Sequence, residues 1–356
     1  MKIRTDFPGA NIDVLEIGEN TVKVLPQLRD TTTEWFYWAF CVEGAQGETW
    51  TFDFTAKDYV YLGYFGPAVS NDLKEWSWAG SNVLDGHSRF TYQFGPEDDC
   101  VYFAHNMLFS TERFQQFALD YSIPVRSLAQ TKKNRSVDIV EMGEGDSCIV
   151  LTSRHHCCES TGTYVMEGML KEFSRDPFEG FQVIAVPFMD VDGVVDGDQG
   201  KNRHPHDHNR DYLENPIYES TAALMEYTRD KDVKYLIDLH SPWHFGGRND
   251  TNFVVYSVED MRANYERFGD ILQQITEKDP DSMQYDKTNN IDVNVEWNIE
   301  GAPTFSKYFA SRPDTVMSFT FETAYFGLLE NQVSQERLVR LGENIAKAIK
   351  LFDASL

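Results

Sequence analysis

Hydrophobic and polar positions change rhythm once along this chain. Up to about residue 110 the apolar residues fall in short, aromatic-rich and partly alternating stretches: Glu34–Cys41, Glu48–Phe54, Tyr59–Phe65, Arg89–Phe94 and Cys100–His105. Clusters of Gly, Asn and Asp at 43–47, 66–72 and 95–99 separate them. Side chains alternate across a strand, so short segments of this kind broken by regular turn signals predict an all-β sandwich. Helical spacing first appears at Thr111–Ala118.

From about residue 136 the pattern predicts alternating strands and helices. Asp146–Ser153, Gln182–Phe188, Lys234–Leu239 and Thr315–Phe321 read as buried strands, whereas Gly162–Phe173, Pro216–Tyr227, Val258–Lys278 and Gln332–Asp353 carry helical spacing. Such alternation predicts an α/β domain with a mixed, largely parallel sheet flanked by helices. The boundary lies within 110–136. The division adopted is a sandwich over residues 1–115 and an α/β catalytic domain over 116–356, in line with about two domains for 356 residues.

Charge narrows the partners. With 57 acidic against 32 basic residues the net charge is −25, which disfavours nucleic acid and anionic membranes. No apolar run reaches the ~18–20 residues of a membrane span, and the first residues lack the apolar core of a signal peptide, so a cytoplasmic protein is expected. The five cysteines, an odd number scattered along the chain, form no disulfide framework.

Three predicted strands of the second domain end in residues able to bind metal or move protons. His156 and Glu159 form an H-x-x-E pair where a strand turns towards a helix, His240 follows Lys234–Leu239, and Glu322 follows Thr315–Phe321. Sites in open α/β sheets form outside the carboxyl ends of strands. His156, Glu159 and His240 make a His₂Glu set that leaves a position for water, and Glu322 is then a free carboxylate able to take its proton. The long polar segment 190–212 sits between a strand and a helix over the same edge, and its Arg203, Asn209 and Arg210 are donors suited to carboxylates and oxyanions.

In this order, H-x-x-E, D-G-V…R…N-R, D-L-H-S and F-E-T, the motifs resemble those of the zinc metallocarboxypeptidases. The likeness is greatest to the cytosolic carboxypeptidase branch, whose N-terminal β-sandwich E-W-F-Y-W-A-F and D-C-V-Y-F-A-H resemble. The resemblance implies one zinc ion on His156, Glu159 and His240. It also implies Arg203 polarising the scissile carbonyl, Asn209 and Arg210 clamping the terminal carboxylate of a peptide or protein tail, and Glu322 as general base. By the same resemblance Lys307, with Arg312 nearby, falls where a basic group selects acidic C-terminal side chains.

The chain departs from the family pattern in the loop. Asp190-Val191-Asp192-Gly193 stands for N-P-D-G, and Pro205 stands where glycine is usual, so Lys201 is the alternative to Arg203. His204, His206 and His208 alternate and are expected to hydrogen-bond around the pocket rather than bind a second metal. Cys157 and Cys158 read as small, semi-buried residues. The family's pocket tyrosine has no clear counterpart, Tyr325 and Tyr308 being the candidates. Trp35, Trp38, Trp50, Trp76 and Trp78 read as an aromatic core and a face towards the catalytic domain rather than a sugar site. Two other functions stay open: a zinc amidase or deacylase of small N-acyl amino acids, and a binding protein without turnover.

Overall fold

The computed structural model describes residues 1–55 and 59–356. Its first part is a sandwich of two sheets. One has five strands in the order Lys2–Arg4, Ala39–Glu43, Cys100–Ala104, Ala68–Ser70 and Ser77–Trp78; the other has four, Asp13–Ile17, Thr21–Leu25, Thr49–Phe54 and Arg89–Gln93. Alternation fixes which residues meet between them. Val22, Val24, Phe40, Val42, Phe52, Phe54, Phe90, Val101 and Phe103 fill the gap with Trp38, whose indole N–H donates to the Tyr61 carbonyl. Two expected strands differ. The segment 35–38 leads into a strand that starts only at Ala39, and Tyr59–Phe65 is not a strand, its Tyr61 and Leu62 N–H groups bonding the His87 carbonyl instead of a neighbouring strand.

The second part is a seven-stranded sheet ordered Val125–Gln130, Ser136–Met142, Phe181–Val186, Ser147–Ser153, Asp232–His240, Met317–Glu322 and Phe253–Tyr256. The central four strands are parallel and the outer ones antiparallel. The parallel strands are buried along almost their whole length, as helix-covered strands must be. Helices Thr161–Arg175 and Gln335–Asp353 pack tightly through glycines: a Cβ on Gly168 would lie 1.9 Å from the Val339 carbonyl oxygen, and one on Gly342 1.9 Å from that of Val165. Among the described residues, no helix is long and apolar enough to cross a membrane.

The chain leaves the sandwich after Ala104 and enters helix Thr111–Asp120, capped by the Ser110 hydroxyl, whose Phe114, Phe117 and Ala118 belong to the core of the second part. Trp35, Phe36, Tyr37 and Trp76 join that same core, whereas Trp38 and Trp50 stay within the sandwich. The expected aromatic interface is therefore present. Polar bonds reinforce it. The Gln199 side chain accepts from the Tyr37 N–H at 2.9 Å and donates to the Tyr37 and Gln27 carbonyls at 2.9 and 3.0 Å, and the Asp30 carboxylate accepts the N–H groups of Gln199 and Gly200 at 2.8 and 2.7 Å.

Candidate active site

Strand register brings the chemistry together. His240 and Glu322 are the last residues of adjacent parallel strands and pair with each other in register, so both reach the same edge at the same level. On the other side of the His240 strand, Ser153 pairs with Leu239; the chain then turns at Arg154, which has a left-handed φ of 63°, and delivers His156 and Glu159 to that edge.

Glu159 lies at the centre, fully buried. Its Oε1 is 2.9 Å from His156 Nδ1 and 2.6 Å from Lys201 Nζ; its Oε2 is 2.8 Å from His240 Nδ1 and accepts the Ser241 N–H at 3.2 Å. A carboxylate stands behind each imidazole, within hydrogen-bond reach only for His240. His240 Nε2 is 2.9 Å from Asp238 Oδ2, and His156 Nε2 is 3.6 Å from Asp207 Oδ1. The second Asp238 oxygen holds His155 Nδ1 at 2.8 Å, and His155 Nε2 meets the Tyr212 hydroxyl at 2.7 Å. Carboxylates behind ligand histidines orient the rings and fix which nitrogen faces a metal.

The residues fit a divalent ion. His156, Glu159 and His240 offer one ligand atom each, all within 4.8 Å of one another. Beside them the buried Glu322 Oε2 has no hydrogen-bond partner, which leaves an acceptor free. His155, Asp238 and His240 meet the same distance criterion, but they share His240 and form the hydrogen-bonded support just described. Charge follows the geometry. Burial opposes ionisation of Glu159, yet Lys201, His156 and His240 together hold its carboxylate well below the usual range. For Glu322 burial dominates, helped by the charge of Glu159 and opposed by His240 and Lys201, and its carboxyl is pushed up to about 7.

A cavity of about 290 Å³ opens in front of this cluster. Lys201, Asn209, Arg210, Lys307, Trp243 and Trp297 line it together with His156, Glu159, His240 and Glu322. Arg210 Nη1 is buried without a partner, a donor free for a ligand. The Asn209 amide is partly engaged: Nδ2 is 3.3 Å from His240 Nε2, and Oδ1 accepts the Phe305 N–H at 3.1 Å. Lys307, on helix Phe305–Ala310, has its ammonium pushed down to about 8 by burial and then by Arg210.

Arg203 stands elsewhere than the motif order implies. Its guanidinium is enclosed by Asp30, Asp190 and Asp198 at 2.8, 2.6 and 3.1 Å, and it does not line the cavity. The physical reason is local. Three carboxylates from two domains need a cation between them, and the planar fork of arginine satisfies all three. Of the two loop cations Lys201 and Arg203, the one lining the cavity is Lys201. It follows Gly200, where φ is +81° and a Cβ would come within 2.4 Å of the Cys157 backbone nitrogen, so the loop can run against the turn carrying His156. Its ammonium also lies 5.1 Å from the centre of the Trp35 ring, bringing the sandwich to the edge of the site.

The remaining candidates separate. Cys157 and Cys158 are buried, with both thiols pushed up by burial, Cys158 to about 12; the Cys157 Sγ donates to the Asp198 carbonyl at 3.1 Å. His206 pairs with Asp211 at 2.7 Å, His208 stacks on Tyr218, and His204 is exposed; among the described residues they form no metal cluster. Arg312 is bound to the carbonyls of Thr228, Arg229 and Lys231, far from the role suggested by its place in the sequence. Tyr325 is fully buried against Cys158, while the tyrosine lining the cavity is Tyr256. Asp238, Asp207 and Trp35 were missed as site residues. Asp238 was findable, because two residues before His240 on one strand means the same face.

Comparison with known proteins agrees with this architecture. Residues 3–106 match the family model described as cytosolic carboxypeptidase N-terminal domain. A metallo-carboxypeptidase from Burkholderia cenocepacia superposes with a TM-score of 0.82 at 18% identity, covering 99% of each chain. An uncharacterised protein of Zymomonas mobilis is 26% identical over 259 residues, 67% of each chain; cytosolic carboxypeptidase 2 of Xenopus tropicalis is 27% identical over 223 residues, 52% of this chain and 22% of that protein. The resemblance to the cytosolic carboxypeptidase branch holds. The chain has the metallocarboxypeptidase fold, with the β-sandwich in front of the α/β domain as expected.

The buried Glu322 gives a pH test. In the metal-free protein burial keeps its carboxyl protonated up to about 7, above the ordinary glutamate value of 4.5, so its contribution to stability is complete below about 4.5 and is lost as pH rises through about 7. Urea unfolding of chelator-treated protein should show the wild type losing stability relative to Glu322→Gln as pH rises from about 4.5 to 8. A difference independent of pH would contradict the burial assigned to this group.

Proposed function

We propose that the protein is a zinc-dependent carboxypeptidase that removes the C-terminal residue of peptides or protein tails. The reading rests above all on the in-register pair His240 and Glu322, which puts a metal-ligand set and a free carboxylate beside one cavity that also holds the unpartnered Arg210. A zinc ion, when bound by His156, Glu159 and His240, supplies Lewis-acid activation of water and of the scissile carbonyl. Glu322 accepts the proton of the attacking water and returns it to the departing amine, a role suited to a carboxyl raised towards neutrality. Arg210 and Asn209 hold the substrate's terminal carboxylate. Lys201, not Arg203, faces the developing oxyanion, because of these two it is Lys201 that lines the cavity, beside Glu159.

The two cations separate in experiment. Lys201→Ala should lower kcat by about 10²–10³-fold, the loss typical of one oxyanion donor, and in zinc-loaded protein, where the ion offsets the Glu159 charge, its Tm should fall less than that of Arg203→Ala. Arg203→Ala should instead destabilise the fold by roughly 3–5 kcal/mol, since it leaves buried carboxylates unpaired. Steady-state kinetics with thermal unfolding of both variants checks this, and the reverse assignment of effects would return the catalytic role to Arg203.

Lys307 and Arg210 place two cations on the cavity wall of an otherwise acidic chain, which favours substrates ending in Glu or Asp. Competition between peptides ending in Glu, Ala, Phe and Lys should rank Glu first, and the advantage should fade as pH rises through about 8, where the Lys307 ammonium loses its proton. An unchanged ranking in Lys307→Glu would remove this preference from the reading.

A further inference from the structure

Two of the five cysteines stand apart from the others. Cys148, Cys157 and Cys158 are buried in the α/β domain, whereas Cys41 and Cys100 face each other in the sandwich. They lie on the adjacent antiparallel strands Ala39–Glu43 and Cys100–Ala104, where Cys41 pairs with Tyr102 and Glu43 with Cys100. Residues two apart share a face, so the two thiols are diagonal neighbours on one side of the sheet. Their sulfurs are 2.6 Å apart. The two thiols are thus in direct contact on one face of the sheet.

The surroundings define how such a bond would form. Cys41 is fully buried, opposite Tyr102 on one neighbouring strand and Arg4 on the other, while Cys100 is partly exposed. Only Cys100 is open to a reagent, and Cys41 is placed to resolve whatever adds to it.

We propose that Cys41 and Cys100 form a reversible disulfide in the N-terminal sandwich. With a low-molecular-weight disulfide as oxidant, the Cys100 thiolate attacks one of its sulfurs, releasing one small thiolate and leaving a mixed disulfide. The Cys41 thiolate then attacks the Cys100 sulfur and releases the second. Two cysteine thiols and one small disulfide become one protein disulfide and two small thiols; the two protons pass to the departing thiolates, and the two electrons pass to the oxidant. Strand Ala39–Glu43 continues directly from the segment containing Trp35, so the bond fastens the strand next to the indole that touches Lys201.

The test uses the full chain. Protein reduced and then equilibrated anaerobically with glutathione disulfide is quenched in acid, unfolded and alkylated, and its free thiols are counted and mapped by peptide mass. Five thiols before oxidation and three after, with Cys41 and Cys100 linked in one peptide pair, is the expected result. Cys100→Ser should keep all four of its thiols under the same treatment, and oxidised wild type should unfold at a Tm higher by on the order of 5 °C than the reduced form. Five free thiols after oxidation, a bond between other cysteines, stable glutathione adducts without the internal bond, or a metal held by the two thiols in place of the bond would each overturn the proposal.

Discussion

Glu159 is a buried carboxylate, and the architecture around the site is what allows it to remain charged. An ion buried without partners costs several kcal/mol, and removing one member of such a group strands the rest. Here two imidazoles, an ammonium and a backbone N–H converge on its two oxygens. Each imidazole needs its own anchor, supplied for His240 by Asp238, which in turn requires His155 and Tyr212. The polar network thus extends from the sheet edge into the core. A divalent ion held by these atoms would replace hydrogen-bonded protons among them, so binding of metal and release of protons would be linked.

The sandwich takes part in this arrangement. Its Asp30 fixes the backbone at Gln199 and Gly200 and shares Arg203 with Asp190 and Asp198, while its Trp35 lies against Lys201. The arginine of the loop thereby becomes the structural clasp between the domains, and the lysine two residues earlier is left to face the cavity. Such a division of labour fits a loop that departs from the usual pattern at residues 190–193 and Pro205 and still presents a cation at the cavity.

Much of this was legible in the residues. Long apolar runs ending in His240 and Glu322 revealed both the parallel strands and the chemistry at their ends, because buried strands admit few polar residues unless they are partnered. The antiparallel strands Val125–Gln130, Ser136–Met142 and Phe253–Tyr256 escaped, since the first two carry mixed burial and the third is only four residues long. Tyr59–Phe65 has strand composition, but its aromatic rings fill space between elements without ladder bonds. The roles of Arg203 and Lys201 could not be separated from spacing alone: which cation meets the cavity depends on Asp30, about 170 residues away in the chain and joined to Arg203 only by folding.

The most direct test of the central claim is anomalous X-ray scattering from crystals of the protein purified without chelator. The account predicts a single divalent metal per chain, bonded to nitrogens of His156 and His240 and to the Glu159 carboxylate at about 2.0–2.2 Å, with Glu322 close by but not a ligand. Crystals grown with added zinc that show no metal there, with the imidazoles still hydrogen-bonded to Glu159, would contradict it.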